Sequence, residues 1–198
     1  MHILVPQSFN KDVNYDSNRE KNHILFIGSV HPRKNLIIFL ESVALLKDLN
    51  LKISIVCRIS ESVYKDTFKY LINKLELNNV SFYESIPTES LDILYNKASL
   101  FVFPTLIEGF GAPPAEAQAH SLPVIASDIP VCHEVLGDSF IYFNPLSSFD
   151  LSEKIRFLLD ENNTDIVAKL IKKGKENVKK YDLNSIVTKQ FEIYNQLN

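Results

Sequence analysis

The feature that most constrains this chain is a regular beat of short apolar runs separated by amphipathic stretches. The runs are His23–Gly28 (HILFIG), Leu51–Cys57, Val80–Tyr83, Leu100–Pro104, Pro123–Ser127 and Phe140–Phe143. The first is continuous and ends on glycine, the pattern of a strand buried in a parallel sheet. Leu36, Phe39, Leu40, Val43 and Leu46 then follow at helical spacing, with Asn35 placed to cap them. Tyr64–Leu75, Thr88–Lys97 (Glu89 in its first turn) and Pro113–His120 read as helices, and a short segment at Val131–Leu136 continues the alternation. After Pro145 the chain turns helical, at Leu151–Asp160, Thr164–Lys179 and Asn184–Gln196. Strands alternating with helices specify βαβ units, right-handed crossovers and a doubly wound, Rossmann-like α/β domain. Ligands of such sheets bind outside the carboxyl ends of the strands.

Two loops lie at such ends. Ile107–Glu116, IEGFGAPPAE, holds two of the five glycines of the whole chain, two adjacent prolines and a glutamate near each end. Gly109 and Gly111 permit positive φ and admit a ligand to bare backbone. Pro113 or Pro114 suits the first turn of a helix, whose N-terminus attracts anions. The second loop is Gly28–Asn35, GSVHPRKN. Arg33 and Lys34 stand there before a helix, where cations oppose the helix dipole, so a bound anion accounts for them better than helix stability does. Solvated surface cations and a purely geometric turn are the plain readings of the same residues.

Bulk properties narrow the guests. The 198 residues carry 45% apolar and 23% charged side chains, ordinary globular proportions. A formal charge of -3 and a pI near 6.0 provide no general basic field, which argues against a nucleic-acid binder and makes any anion site local. Cys57 and Cys132 belong to no CxxC or Cys/His cluster, so neither zinc nor a disulfide framework is indicated and a reducing, cytoplasmic setting is expected. No apolar run is long enough for a signal peptide core or a membrane span.

The two glutamates allow more than one reading. A carboxylate repels a diphosphate, so Glu108 and Glu116 are expected to face sugar hydroxyls or developing positive charge. A pair of acids straddling a glycoside would suggest a hydrolase. No D-x-D occurs, which weakens a metal-chelated diphosphate. The run Gly109-x-Gly111-x-x-Pro114, with Asp128 further on, imitates a dinucleotide fingerprint, but Pro114 occupies the place where Gly or Ala permits close packing.

Phe101-Val-Phe-Pro-Thr-Leu-Ile-Glu-Gly-Phe-Gly111, Ala112-Pro-Pro-Ala-Glu-Ala117 and Pro123-Val-Ile-Ala-Ser127 together resemble the donor-binding, C-terminal domain of GT-B retaining glycosyltransferases of family 4, including its E-x7-E motif. Gly28–Asn35 resembles that family's basic loop, and Glu134–Asp138 its E-V-x-G-D segment; the resemblance runs from Ile24 to the end of the chain. It implies that Arg33 and Lys34 hold a donor diphosphate with backbone N–H groups near Gly111 and Ala112. It places Glu108 at the donor sugar, Glu116 at the ribose hydroxyls and Ile86 beside the base. Gly28, Ser29, Arg58, Gly109 and Phe110 complete the implied donor site, with Glu108, Arg33 and Lys34 in the catalytic role.

The implied reaction is transfer of a sugar from a UDP- or GDP-sugar to a saccharide or lipid-linked acceptor with retention, in bacterial surface polysaccharide synthesis and with no obligatory metal or other cofactor. Ser29 stands where many members carry Arg, and Cys57 where Gly is common. The resemblance divides the chain into a lead-in or linker at residues 1–22, a nucleotide-sugar-binding domain at 23–183 and a closing helix at 184–198. It leaves the N-terminal, acceptor-side GT-B domain unaccounted for. A chain of this length is therefore expected to bind donor and to transfer sugar poorly alone. Peripheral membrane association belongs to the full enzyme under this reading. The alternatives are a non-catalytic nucleotide-sugar module and an epimerase or hydrolase on the same fold.

Overall fold

In a computed structural model, residues 19–58 and 62–181 are described, together with 187 and 194. Six parallel strands form one sheet: β1 His23–Ser29, β2 Lys52–Arg58, β3 Val80–Tyr83, β4 Leu100–Phe103, β5 Val124–Ser127 and β6 Ile141–Phe143, in the order β3-β2-β1-β4-β5-β6. Among the described residues these helices flank them: α1 Leu36–Ala44, α2 Ser62–Lys74, α3 Thr88–Lys97, α4 Ala112–Ala119, α5 Pro130–Leu136, α6 Ser148–Leu159 and α7 Thr164–Val178. This is the doubly wound, Rossmann-like architecture expected, and the segment at 131–136 is a helix. The closing helix expected at 184–196 lies outside the described residues except for Val187 and Tyr194, both helical.

Alternation along the strands divides the core in two. Ile24, Phe26, Ile53, Ile55 and Val102 pack under α1 and α6, while Leu25, Phe101, Phe103, Val124 and Ala126 pack under α3, α4 and α5. The central strands are buried on both faces, which is why they read as unbroken apolar runs. The strand order reverses between β1 and β4. Among the described residues these two pair only through Ile24–Leu100 and Leu25–Phe101, whereas β1 and β2 pair over seven residues, from His23 to Ser29. The carboxyl halves of β1 and β4 thus part, and the crevice between them is the topological switch point where such sheets bind ligands.

The other end of the sheet is closed by polar contacts. Arg19, in the expected linker, donates to the carbonyls of Tyr95 (3.0 Å), Ala98 (2.5 Å) and His120 (2.6 Å). A cation is thereby set against the carboxyl ends of α3 and α4, as their dipoles favour. His23 is fully buried, its Nε2 2.8 Å from the Ser54 hydroxyl and its Nδ1 3.1 Å from the Glu20 carboxylate. Burial pushes its pKa down despite Glu20, and burial likewise lowers that of His120 against the opposing charge of Asp92.

A histidine with a depressed folded pKa is protonated preferentially in the unfolded chain. Its contribution is therefore complete above the ordinary value of about 6.5 and is lost as pH falls below it. Urea titrations at pH 7.5 and 5.8 are expected to show a lower midpoint at 5.8, and a His23→Gln variant a smaller difference between the two. Equal midpoints in the parent chain would contradict the buried, neutral assignment.

Candidate functional site

The loop after β1 is built by local rules. The extended His31 caps a 3₁₀ turn, Pro32–Lys34, by accepting from the Arg33 N–H at its Nδ1 (3.2 Å). Asn35 ends the turn in the left-handed region, φ 54°, which Asn tolerates better than most residues. Its side chain makes no cap on α1, contrary to expectation. It donates instead to the Pro145 carbonyl at 2.8 Å, so Asn35 joins this loop to the one after β6.

The loop after β4 is fastened to the first. The Leu106 N–H donates to the Arg33 carbonyl at 2.7 Å, and the fully buried Thr105 hydroxyl lies 3.0 Å from that carbonyl and 3.1 Å from that of Ile107. Of the two glycines that permit positive φ, only Gly111 adopts it, at 82°. A Cβ there would also stand 3.2 Å from the Phe103 ring, tighter than ordinary contact. Gly109 is open, with nothing near the place a Cβ would take. Gly111 leads into α4, whose first turn holds both prolines. Gly111, Ala112 and Ala115 therefore supply the N–H groups at this helix start, because Pro113 and Pro114 have none.

The charges meet across these loops. Lys34 is 7% exposed, so its ammonium must be paired. Its Nζ bonds to Glu108 Oε2 and lies 5.1 Å from the centre of the Phe103 ring, while Arg33 Nη1 donates to the same oxygen at 3.1 Å. The Gly109 N–H reaches Glu108 Oε1 at 3.2 Å. Burial pushes the Glu108 carboxyl up, but Lys34, the Gly109 N–H and Arg33 outweigh it and hold the group below the usual carboxylate range.

The family resemblance implies that the cations hold a diphosphate and that Glu108 faces a sugar. In the structure both cations pair with the single Glu108 carboxylate, which leaves the trio with one net positive charge. Glu116 is separate: burial raises its pKa, and its Oε2 accepts from the Tyr95 hydroxyl at 2.8 Å. The two glutamates are therefore engaged by different partners.

The remaining expected positions lie at the carboxyl ends of strands or in the loops that follow them. Gly28 and Ser29 close β1, opposite Cys57 and Arg58 at the end of β2. Ile86, beyond β3, is half-buried against the same core face as Tyr83, Leu91 and Leu94. Phe110 is half-buried and meets Tyr181 edge-on, with centroids 5.2 Å apart. Burial pushes the Cys57 and Cys132 thiols to about 12 each, so neither is a nucleophile. Among the described residues no group of three or more His, Cys, Asp or Glu is arranged to hold a metal ion. Tyr95, Phe103 and Thr105 have no role legible in the sequence, because no local pattern shows that they meet Glu116, Lys34 and the Arg33 carbonyl.

Known proteins bear on this geometry. O-antigen chain mannosyltransferase RfbU of Salmonella typhimurium is 36% identical over 143 residues, 72% of this chain and 40% of that protein. A crystal structure of a glycosyltransferase from Rickettsia africae has a TM-score of 0.80 at 24% identity, covering 98% of this chain and 52% of that one. Anabaena Alr3699/HepE, solved in complex with UDP and glucose, has a TM-score of 0.78 at 18% identity, covering 89% of this chain and 48% of that one. The chain thus spans about half, or less, of the lengths of the relatives it matches. A family model described as "Glycosyl transferases group 1" matches residues 8–177. With the switch-point crevice and its E-x7-E loop, that match shows that the chain belongs to the group 1 glycosyl transferases and has the fold of a GT-B C-terminal domain.

Proposed function

We propose that this chain is the donor-binding half of a retaining glycosyltransferase, which transfers a sugar from a nucleotide diphosphate sugar to a saccharide or lipid-linked acceptor in bacterial surface polysaccharide synthesis. The observation that carries this reading is the buried Lys34, with Arg33 beside it, at the switch point opposite the bare start of α4. A diphosphate there would meet two cations and the N–H groups of Gly111 and Ala112. Mannose is the first candidate for the transferred sugar, because RfbU is named as a mannosyltransferase. The UDP bound to HepE supports a nucleoside diphosphate as the carrier.

In the reaction the bond from the anomeric carbon to the diphosphate oxygen breaks, a bond to the acceptor oxygen forms, and the acceptor hydroxyl's proton leaves with the diphosphate. Negative charge grows on the departing diphosphate, which Lys34 and Arg33 stabilise in a partly dry site. Binding of the phosphates takes over the cations that Glu108 holds in the free protein. That releases its carboxylate toward the donor sugar, while Glu116 faces the ribose. The role of Ile86 is to line the base side of the same donor and that of Arg58 to add a cation, and no metal is required for the charge balance.

Calorimetric titration with UDP, GDP and ADP tests the reading through an unusual sign. Glu108 competes with phosphate for its cations, so Glu108→Gln is expected to tighten binding of the free nucleotide diphosphate, on the order of tenfold. Transfer by the full enzyme would fall in the same variant. Absence of binding at millimolar nucleotide, or weaker binding by Glu108→Gln with its fold intact, would defeat the proposal.

A further inference from the structure

The Glu116 carboxylate is held by a side chain of α3 to which the sequence reading gives no role. Tyr95 is 2% exposed, yet its hydroxyl is spent on Glu116 Oε2 at 2.8 Å. The Pro113 carbonyl lies farther from the same hydroxyl, at 3.3 Å, and a phenol has one proton to give. The shorter contact, to a carboxylate, takes it.

Tyr95 itself is locked. Its ring stacks on His120 with centroids 4.9 Å apart and planes at 8°, and lies 6.0 Å from the ring of Phe101. His120 is held in turn by Asn96 at 2.9 Å and, through its carbonyl, by Arg19 at 2.6 Å. A glutamate carboxylate otherwise turns freely about its last bond. Bound to a fixed phenol through one oxygen, it presents the other oxygen in one plane.

We propose that Tyr95 is a positioning residue that orients Glu116 for the vicinal diol of a ribose, and so makes the site select ribonucleotides over deoxyribonucleotides. The inference rests on the donor-site reading of Glu116 given above. A fixed carboxylate oxygen accepts from both hydroxyls of a cis-diol without first losing rotational freedom. A sugar lacking the diol covers that oxygen without giving it a donor, which is the costly case.

The test compares UDP and GDP with their 2′,3′-dideoxy analogues by calorimetry, on the parent chain, Tyr95→Phe, Glu116→Gln and the double variant. The parent is expected to prefer the ribonucleotide by about tenfold or more. Tyr95→Phe retains the ring stack, and is expected to reduce that preference to about twofold while leaving affinity for the dideoxy analogue unchanged. In Glu116→Gln, the added Tyr95→Phe is expected to change nothing further. A purely structural tyrosine would weaken both nucleotides equally, and that result overturns the proposal. Full discrimination retained in Tyr95→Phe overturns it too, leaving the Glu116 reading in place. A parent chain that fails to discriminate, or binds neither nucleotide, removes the ribose role of Glu116 and the Tyr95 proposal with it. Thermal melts of each variant separate misfolding from lost selectivity.

Discussion

Replacement of Lys34 by alanine is expected to weaken binding of UDP or GDP by about 10- to 150-fold, the span of 1.5–3 kcal/mol for one desolvated charge-assisted contact. The upper part of that range is favoured for a reason specific to this site. Lys34 is the most deeply buried of the charged groups in the crevice, and it shares Glu108 with Arg33. Its deletion removes the cation that a diphosphate would meet and leaves Glu108 with one partner fewer, so the variant adds repulsion to lost attraction. Arg33, at 40% side-chain exposure, is screened by water and replaces little of the loss. Lys34→Arg should recover only part of the affinity, since the fork of Arg does not fit a space shaped for a single ammonium above the Phe103 ring. Calorimetry at fixed ionic strength is the measurement. Unchanged affinity in Lys34→Ala, with the fold intact, would remove Lys34 from the site.

Phe101→Ala is expected to produce the largest loss of stability, about 3–5 kcal/mol, from lost burial and the cavity left behind. Phe101 is fully buried at the middle of the sheet, paired with Leu25 on one side and Val124 on the other. Its ring lies between those of Tyr95 (6.0 Å) and Phe103 (6.5 Å), so neighbours on α3 and on its own strand lose contact together. Collapse of the cavity is restrained because the strand is hydrogen-bonded on both edges. Urea denaturation should show the loss as a midpoint lower by about 1–3 M. A loss under about 1 kcal/mol would mean that this face of the core is not close-packed as described.

Much of the fold was legible because apolar periodicity is a local property. Each strand was found within one or two residues, since continuous runs such as HILFIG have no soluble alternative to burial on both faces. The loop at 107–116 was legible for the same reason: glycines and prolines restrict the backbone wherever they stand, and Gly111 at φ 82° with Pro113 in the first turn bears that out. Gly109 does not use the positive φ that it permits, because permission for that conformation is not a requirement for it. Asn35 was misjudged because its amide found the Pro145 carbonyl, a partner 110 residues away that no local rule supplies.

The sequence by itself determined the class of fold, the two loops and the residue types available to chemistry, because each depends on neighbours along the chain. What only the tertiary structure decided is the meeting of those loops. Glu108 reaches Arg33 and Lys34 across some 75 residues because the strand order reverses between β1 and β4. The same folding turned Tyr95 from a core aromatic into the partner of Glu116, through a hydroxyl contact whose ends are 21 residues apart. Burial then set the charges: it forced Lys34 to pair and raised the pKa of Glu116, and burial depends on the whole chain.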